Sequence, residues 1–365
     1  IGIDLTYYKE NTRNQIMTIN VPWESGVKEK LINAGNIQNS GIEIALNTTP
    51  IKKKQWQWDL NFTYTRNRNK IVELSPDVTS YINLDGAANY GNYRIASVAK
   101  VGSDYGMLMS DSWIKTDEKT GKPVVGYTNK FRTVYYKRGG TVKEVGSMLP
   151  NFLGSLNSTL RWKDLSLYVL FDARFGGYVA SYNSRYATAY GFSGETEKYR
   201  KGMTWTSKYA NAQDKVFTDG FIPDVVFDAG TIVTTPGGTN QDVSGMTYQE
   251  AYEKGYVEPA HLQSAAYFKN SWGTGVINDD WFKKINYIAL REITLSYNVP
   301  TKISSYIGAK NLSLSFTGRN LAYLLNTAPN HENPESVRGT GAAQFRMRSF
   351  MPYTASYLFT LNATF

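Results

Sequence analysis

The last nine residues of the chain alternate without interruption between two kinds of side chain. Tyr357, Phe359, Leu361, Ala363 and Phe365 form one set, and Leu358, Thr360, Asn362 and Thr364 form the other. Consecutive side chains of a strand point to opposite faces. The segment therefore predicts a strand with one apolar face and one mostly polar face. Such a strand suits a wall between lipid and water, and it also suits a soluble β-sandwich.

Seven further segments show the same alternation. They are residues 1–10, 41–49, 55–66, 152–162, 165–175, 285–299 and 312–324. The clearest is 55–66, where Trp56, Trp58 and Leu60 begin an unbroken apolar set, whereas Arg291 interrupts the pattern of 285–299. Several segments have the roughly 9–11 residues that a tilted strand needs to cross a bilayer.

The connections between these segments are alternately short and long. Residues 50–54, 163–164 and 300–311 make short connections, whereas roughly 80 and roughly 100 residues fill the two long ones, after 64 and after 177. Loops of that length are unusual in compact domains. Short periplasmic turns and long extracellular loops are typical of outer-membrane barrels. Counted back from Phe365, all the short turns fall on the periplasmic side, and this predicts an all-β, antiparallel transmembrane β-barrel.

The composition agrees with a barrel and excludes other classes. The mean hydropathy is −0.41, and no apolar run approaches the roughly 18 residues of a membrane helix. The 27 Tyr and 8 Trp suit the aromatic girdles of membrane interfaces. The net charge is +9 but the basic residues are scattered, with Lys52–Lys54 the single run of three. We therefore expect no nucleic-acid partner. The absence of cysteine removes disulfides and thiol chemistry.

Residues for catalysis or metal binding are few and scattered. No nucleotide-binding loop is present. The candidates are His261, His331, Asp279, Asp280, Asp111, Asp117 and Glu118. The two histidines are far apart, and adjacent aspartates of an extended segment point in opposite directions. The last three could hold a surface calcium, but a solvated turn around Gly121 is favoured. We expect no enzyme, no cofactor and no metal.

No signal peptide opens the chain, because residues 1–8 already alternate like a strand. A protein that crosses the inner membrane needs a targeting segment. We therefore expect residues 1–365 to be the carboxyl-terminal portion of a longer protein.

Several motifs, in this order along essentially the whole chain, resemble the SusC-like branch of the TonB-dependent receptors. The first, over residues 33–43, is similar to the N-x-G-x-x-x-N-x-G-x-E strand entry of these receptors. The others are Asn67–Leu74, Gly146–Phe152, Phe175–Tyr178, Ile288–Pro300, Gly318–Leu321 and Asn333–Glu335, the last standing where the family often has Asp-Pro-Glu.

The resemblance implies a barrel of about 22 strands, of which this chain would supply about eight. It also implies an amino-terminal plug and a TonB box, neither of which can be matched here. A SusD-like surface lipoprotein would be the partner, TonB would act through the missing amino-terminal part, and outer-membrane lipid would surround the wall. A dimer of transporter–lipoprotein pairs stays open. The family imports mostly oligosaccharides and sometimes oligopeptides.

The loop after residue 177 carries candidate substrate contacts. These are Tyr178, Tyr182, Tyr186, Tyr190 and Trp205. The first three recur every four residues, which would place them on one face of a short helix. Their rings could stack on sugars; alternatively, they pack the loop or face the lid protein. Separately, Tyr357, Phe359, Leu361 and Phe365 resemble the terminal signal that the outer-membrane assembly machinery recognises.

Two other functions remain open from the sequence. One is a passive outer-membrane pore or structural barrel without energised transport, since eight strands can close a barrel by themselves. The other is a soluble β-sandwich that binds glycans.

Overall fold

A computed structural model describes residues 1–20, 29–76, 78, 80–85, 95–111, 113–130, 132–139, 141–189, 192, 202–260, 282–336, 345–347 and 352–365. The described residues contain twenty strands. They are β1 (Gly2–Asn20), β2 (Glu29–Lys52), β3 (Trp56–Glu73), β4 (Tyr81–Asp85), β5 (Ile95–Lys100), β6 (Met107–Ser110), β7 (Val124–Thr128), β8 (Thr133–Tyr136), β9 (Lys143–Ser147), β10 (Phe152–Trp162), β11 (Leu165–Ser181), β12 (Met203–Thr206), β13 (Val216–Gly220), β14 (Val226–Phe227), β15 (Ile232–Thr234), β16 (Asn240–Asp242), β17 (Phe282–Val299), β18 (Asn311–Asn326), β19 (Arg346–Met347) and β20 (Ser356–Thr364). The α-helices are α1 (Tyr182–Ala189), α2 (Tyr248–Glu253) and α3 (Thr301–Ser304).

Eight long strands form one antiparallel sheet in the order β1-β2-β3-β10-β11-β17-β18-β20. They coincide with the eight predicted segments, and β1, β2, β3 and β11 extend at least six residues beyond the predicted bounds. Among the described residues, β1 pairs only with β2 and β20 only with β18. The sheet of this chain is therefore open, and the closed eight-stranded barrel that the sequence left open is not observed.

The register gives the sheet one apolar and one polar face. Paired residues of antiparallel strands share a face. Phe359 pairs with Phe316, which pairs with Leu295, and Leu295 pairs with Leu167. The next row, on the polar face, contains Thr360, Ser315 and Ser296. The large side chains of the apolar face are widely exposed: Phe359 is 71% exposed and Phe316 52%. An exposed apolar surface that runs across a whole sheet indicates contact with lipid.

Two rows of aromatic rings bracket this apolar belt. At the end of the short turns, Trp56 stacks on Trp162 with ring centroids 5.6 Å apart. At the other end, Phe152 lies 5.3 Å from Tyr64 and 4.8 Å from Phe175. Eight residues separate Trp56 from Tyr64, or about 27 Å along a strand. Tilted by about 40°, such a strand covers about 21 Å of depth between the two rows, which lies within the roughly 25 Å of an outer-membrane apolar band.

The short connections are compact. Lys163, between β10 and β11, has a φ of 52°. Helix α3 and a 3₁₀ turn at Ser305–Ile307 link β17 to β18. Since all three turns lie at one end of the sheet, both long connections rise from the other end, as the sequence predicts.

The long connections contain further strands that no sequence pattern predicted. Strands β4, β5, β6 and β9 form one sheet, β14, β7 and β8 another, and two hairpins are β12-β13 and β15-β16. Strand β14 of the second connection pairs in parallel with β7 of the first. This joint unit has its own core. Its buried residues are Val125, Val134, Tyr136, Val225, Phe227, Val233, Val243, Tyr248, Ala251, Val257 and Ala260.

The structure explains why two positions of the residue 33–43 motif are glycine. Gly35 has a φ of +75°, and a Cβ there would collide with the carbonyl of Glu73. Gly41 lies under the ring of Tyr8, which leaves no space for a side chain. The two glycines of the motif therefore permit a bulge in β2 and the close packing of β1, β2 and β3.

None of the helices that the structure describes has both the length and the apolar character required to span a bilayer.

Candidate functional site

The polar face of the main sheet is the first candidate surface, because its side chains bond across strands and leave neutral donors and acceptors along the wall. The hydroxyl and amide pairs are Thr63–Ser155 at 2.6 Å, Thr294–Thr317 at 2.9 Å, Ser296–Ser315 at 2.9 Å, Asn69–Asn39 at 2.8 Å, and Asn61–Asn47. Such groups can exchange hydrogen bonds with water or with a passing polar solute.

Two carboxylates of this face are paired with arginines. Arg161 donates to Asp59 at 2.6 Å, and Thr49 and Gln57 donate to the same carboxylate. Arg319 Nε donates to Glu292 at 2.9 Å. Ion pairs on a solvated surface add little stability, and here they leave these parts of the wall locally neutral.

A denser cluster lies where β11, β17 and β18 meet the segment after β18. Arg291 Nε donates to Asp172 at 2.5 Å, and its Nη2 lies 2.7 Å from Glu335 Oε1. Tyr323 donates to the other oxygen of Glu335 at 2.7 Å, and Tyr287 donates to the first at 3.3 Å. The Arg291 guanidinium also lies within 6 Å of both tyrosine rings.

A β-bulge places Arg291 in this cluster. Between β11 and β17, Leu170 pairs with Glu292 and Phe171 pairs with Leu290, so Arg291 is the extra residue of β17. A bulge redirects a side chain out of the regular alternation. This explains why Arg291 interrupts an apolar pattern in the sequence: its guanidinium points to the polar side.

The cluster borders a cavity of about 210 Å³. Its lining residues are Ala289, Leu290, Arg291, Asn320, Ala322, Tyr323, Asn333, Glu335, Tyr353 and Thr354. Tyr353 packs edge-on against Tyr323 with centroids 4.9 Å apart. Amide, hydroxyl and aromatic groups around one small cavity suit a sugar ring or a peptide unit, since they supply hydrogen bonds and an apolar platform.

The segment carrying Glu335 is fastened at a second point. Ser181 Oγ donates to both oxygens of Glu332, at 3.2 and 3.1 Å, and it accepts the backbone N–H of Ser184. Burial raises the pKa of Glu332 to about 6, although the Ser181 bond opposes the shift. Burial also acts to raise the pKa of Glu335, but the bonds from Tyr323 and Arg291 outweigh it and lower that pKa.

The predicted substrate contacts do not share a helix face. Tyr178 belongs to β11 because that strand continues past Gly176 and Gly177, so the expected helical spacing from Tyr178 is wrong. Tyr182 begins α1, yet it is only 2% exposed and belongs to a core cluster with Ile95, Leu108, Ala180, Phe282 and Phe345. Tyr178 packs against the same cluster.

The remaining candidates lie elsewhere. Trp205 lies in β12 and stacks on Phe217, with centroids 4.7 Å apart. The side chain of Tyr186 and all of Tyr190 lie outside the described residues, as do His261, Asp279 and Asp280. Of the described candidates, Tyr178 and Tyr182 thus pack in one core cluster and Trp205 lies in a separate hairpin, and substrate contact stays a prediction.

Sequence reasoning missed the Arg291 cluster, although two signals pointed to it. One was the interruption at Arg291, and the other was the Asn333–Glu335 motif. Their contact joins residues 44 positions apart, a separation that no local pattern shows.

The metal candidates form no site in the part of the chain that the structure describes, where no group of three His, Asp or Glu side chains could hold an ion. Asp117 instead accepts from the backbone N–H and hydroxyl of Thr120, as in the solvated turn that the sequence favours.

The terminal strand presents its aromatic residues outward. Tyr357 is 66% exposed, Phe359 71%, Leu361 58% and Phe365 71%. Their role as an assembly signal stays a prediction.

Comparisons with known proteins agree with this geometry. The chain matches no family model. It is 23% identical over 325 residues to TonB-dependent receptor P26 of Formosa agariphila, which covers 87% of this chain and 28% of that protein. It is 24% identical over 194 residues to TonB-dependent receptor P3 of the same organism, covering 50% of this chain and 19% of that one.

Solved structures extend the likeness to the whole chain. The structure of the RagAB peptide transporter matches 100% of this chain and 33% of its own, with a TM-score of 0.59 and 14% identity. The 'open-open' state of the RagAB peptide importer matches with a TM-score of 0.58. The chain thus spans about a third or less of the length of these proteins. Together the motifs, the relatives and the fold confirm the resemblance to part of a SusC-like TonB-dependent receptor, and the chain has an antiparallel fold like part of the RagAB barrel.

Proposed function

We propose that residues 1–365 are the carboxyl-terminal portion of the barrel of a receptor that imports an oligomeric nutrient across the outer membrane. The observation that carries the proposal is the pairing of one face of hydroxyls, amides and neutralised charges with an exposed apolar face, on a fold like that of RagAB over 100% of the chain. A wall of this kind separates lipid from a water-filled path.

Energised transport distinguishes this proposal from a passive pore. By the family resemblance, TonB would act through an amino-terminal part that these 365 residues do not contain. A SusD-like lipoprotein would close the path from outside, on the side where the joint unit of β7, β8 and β14 stands. The arrangement of transporter–lipoprotein pairs as a dimer belongs to the same proposal.

The cargo we favour is an oligosaccharide. Hydroxyl and amide groups along the polar face, with tyrosine rings at the Arg291 cavity, suit hydroxyl-rich rings. Among the aromatic candidates of the second long connection, Tyr178 and Trp205 are each only partly buried and remain proposed contacts. Oligopeptide is the second candidate cargo, because the structures that match over the whole chain are titled as peptide transporters.

Growth and uptake by cells that carry or lack the gene for the intact receptor test the proposal. Cells lacking it should lose uptake of one defined class of labelled oligosaccharide and keep uptake of monosaccharides. Loss of oligopeptide uptake alone would select the second candidate. Uptake that persists after the proton gradient is collapsed would indicate a passive pore. Normal uptake of every oligosaccharide and oligopeptide tried would reject import.

Variants of the intact receptor test the contacts. Trp205→Ala and Tyr323→Phe should each weaken cargo binding several-fold. Tyr306→Ala is the matched control, since Tyr306 is 89% exposed and stands in the short turn at the opposite end of the wall.

A further inference from the structure

Four basic side chains stand together on the outer surface of β1 and β3. Lys9, Arg66, Arg68 and Lys70 are all exposed, and we call them the basic patch. The sequence does not show the four residues as one group, because Lys9 comes almost 60 residues before the others. The sheet brings them together.

Register places the basic patch on the apolar side of the wall. Arg66, Arg68 and Lys70 follow Leu60, Phe62 and Tyr64 at steps of two residues along β3, so they share one face. Arg68 pairs with Ser40, and Ser40 pairs with Lys9. Lys9 therefore lies in the same row as Arg68, two strands away, at about 10 Å.

The basic patch begins where the apolar belt ends. Tyr64 belongs to the upper aromatic row with Phe152 and Phe175. Arg66 follows Tyr64 by two residues, about 7 Å along the strand, and Lys70 by six residues, about 20 Å. The lipid-facing surface thus changes directly from aromatic rings to cations, at the end from which the long connections rise.

The charges of the basic patch are not balanced by the wall itself. Within the described part of the chain, no ion pair involves any of the four side chains. The acidic residues next to them in sequence or register, Glu10 and Glu43, occupy positions of the opposite face. Glu73 is level with Arg13 through Asn36, which is why Arg13 is left out of the patch.

We propose that the basic patch binds the phosphate groups of lipid in the outer leaflet of the outer membrane. Cations placed directly above an apolar belt match a lipid whose chains contact the belt and whose phosphate lies level with the cations. Arg68 and Lys9, about 10 Å apart, can hold one phosphate between them. This inference rests on the membrane placement of the proposed function, but not on its cargo or energy source.

The test uses the intact receptor in detergent with three probes. They are a diphosphorylated lipid A, the same lipid A after removal of its phosphates, and inorganic phosphate. The patch variant carries Arg66→Gln, Arg68→Gln and Lys70→Gln. The matched control carries Lys52→Gln, Lys53→Gln and Lys54→Gln, which removes the same charge at the opposite rim.

The phosphorylated lipid should bind the unchanged receptor at least tenfold more tightly than its dephosphorylated form. The patch variant should lose about 100-fold in affinity for it, and the control variant should lose less than threefold. Equal binding of the two lipids to the unchanged receptor would overturn the proposal, and this comparison needs no variant to fold. Equal losses in the two variants would overturn it as well.

The phosphate probe separates a lipid site from a site for the free anion. Inorganic phosphate that binds as tightly as the lipid would reject the lipid assignment. Cell fractionation runs alongside: a receptor in the outer membrane that fails the lipid comparison refutes only this inference, whereas a receptor absent from that membrane refutes the proposed function.

Discussion

Arg291 on strand β17 and Glu335 on the segment after β18 lie 2.7 Å apart, between Nη2 and Oε1. Asp172 of β11 holds the other side of the guanidinium at 2.5 Å. One bulged residue therefore ties the wall to the segment that leaves it. Glu335 is the outer partner of this bond, because its side chain is 40% exposed whereas that of Arg291 is 21% exposed.

Replacing Glu335 by Gln should loosen the segment and leave the wall intact. The change removes a charged acceptor that serves Arg291 and Tyr323. Bonds to charged groups contribute roughly 1.5–3 kcal/mol, and partial exposure of Glu335 reduces this. We expect hydrogen exchange over residues 327–336 to accelerate about tenfold. Glu118→Gln, at an exposed position in a loop, is the control and should change nothing. Unchanged exchange in the Glu335 variant would show that the ion pair does not hold the segment.

The same segment should respond to pH through Glu332. Its pKa in the folded protein is about 6, above the ordinary 4.5. The folded state therefore binds more protons than the unfolded state between these values, and stability contributed by this site falls as pH rises. The protection of these amides from exchange, taken relative to the rate of unstructured peptide at each pH, should be greatest below pH 4.5 over residues 327–336 and should fall up to about pH 6 or slightly above.

A paired variant isolates that effect. His331→Gln, which removes the imidazole of the adjacent turn, is introduced both into the otherwise unchanged protein and into the Glu332→Gln variant. In this background Glu332→Gln should flatten the pH profile, since the amide oxygen can still accept from Ser181 but cannot titrate. A profile that keeps its slope would assign the pH dependence to another group.

These contacts show what the sequence could and could not predict. The eight wall strands and their turns were predictable, because alternation is a local property that lipid on one side and water on the other impose at every second residue. The strands of the long connections were not. Strand β14 has two residues and pairs with β7 about 100 positions earlier, so neither its length nor its partner leaves a periodic signal.

The candidate site likewise has one part that local alternation predicts and one part that it does not. The polar face followed from alternation, whereas the Arg291 cluster depends on a bulge and on a partner 44 residues away. The tyrosine spacing was misleading because Tyr178 does not belong to the helix. Strand β11 runs through Tyr178 to Ser181, and the helix begins at Tyr182. Residue spacing does not reveal where one kind of element gives way to another.

The core of the joint unit should unfold independently of the wall. Phe227 is 1% exposed and stacks on Tyr248, with centroids 5.5 Å apart. Phe227→Ala should destabilise this unit by about 3–5 kcal/mol. Tyr248→Phe removes only the 2.8 Å bond to the carbonyl of Glu258 and should cost about 1–2 kcal/mol. Limited proteolysis within residues 216–260 should follow that order. Ile232→Ala, at a position 53% exposed, should match the unchanged protein; simultaneous loss of wall protection would refute independence.

The Gly35 bulge should be required for assembly of β2 onto β3. Gly35→Ala places a Cβ against the carbonyl of Glu73 in a backbone region that L-residues avoid. We expect the amount of folded receptor to fall several-fold. Gly2→Ala is a matched control in β1, because a Cβ there meets nothing within 4 Å. Heat-modifiable migration on a gel measures the folded fraction. Equal folded fractions for the two variants would mean that the bulge tolerates a side chain.

The terminal strand should carry the assembly signal on its outward face only. Phe365→Ala and Phe359→Ala each remove a ring that is 71% exposed without breaking a hydrogen bond of the β18–β20 ladder, which involves backbone groups. Both should slow insertion into the outer membrane several-fold, measured by pulse-chase protection from an external protease. Leu358→Ala removes a comparable apolar side chain from the opposite face of the same strand, where it pairs with Thr317, and should insert at the normal rate. Equal slowing by all three would show that strand stability limits insertion, because a signal read from the outward face cannot depend on Leu358.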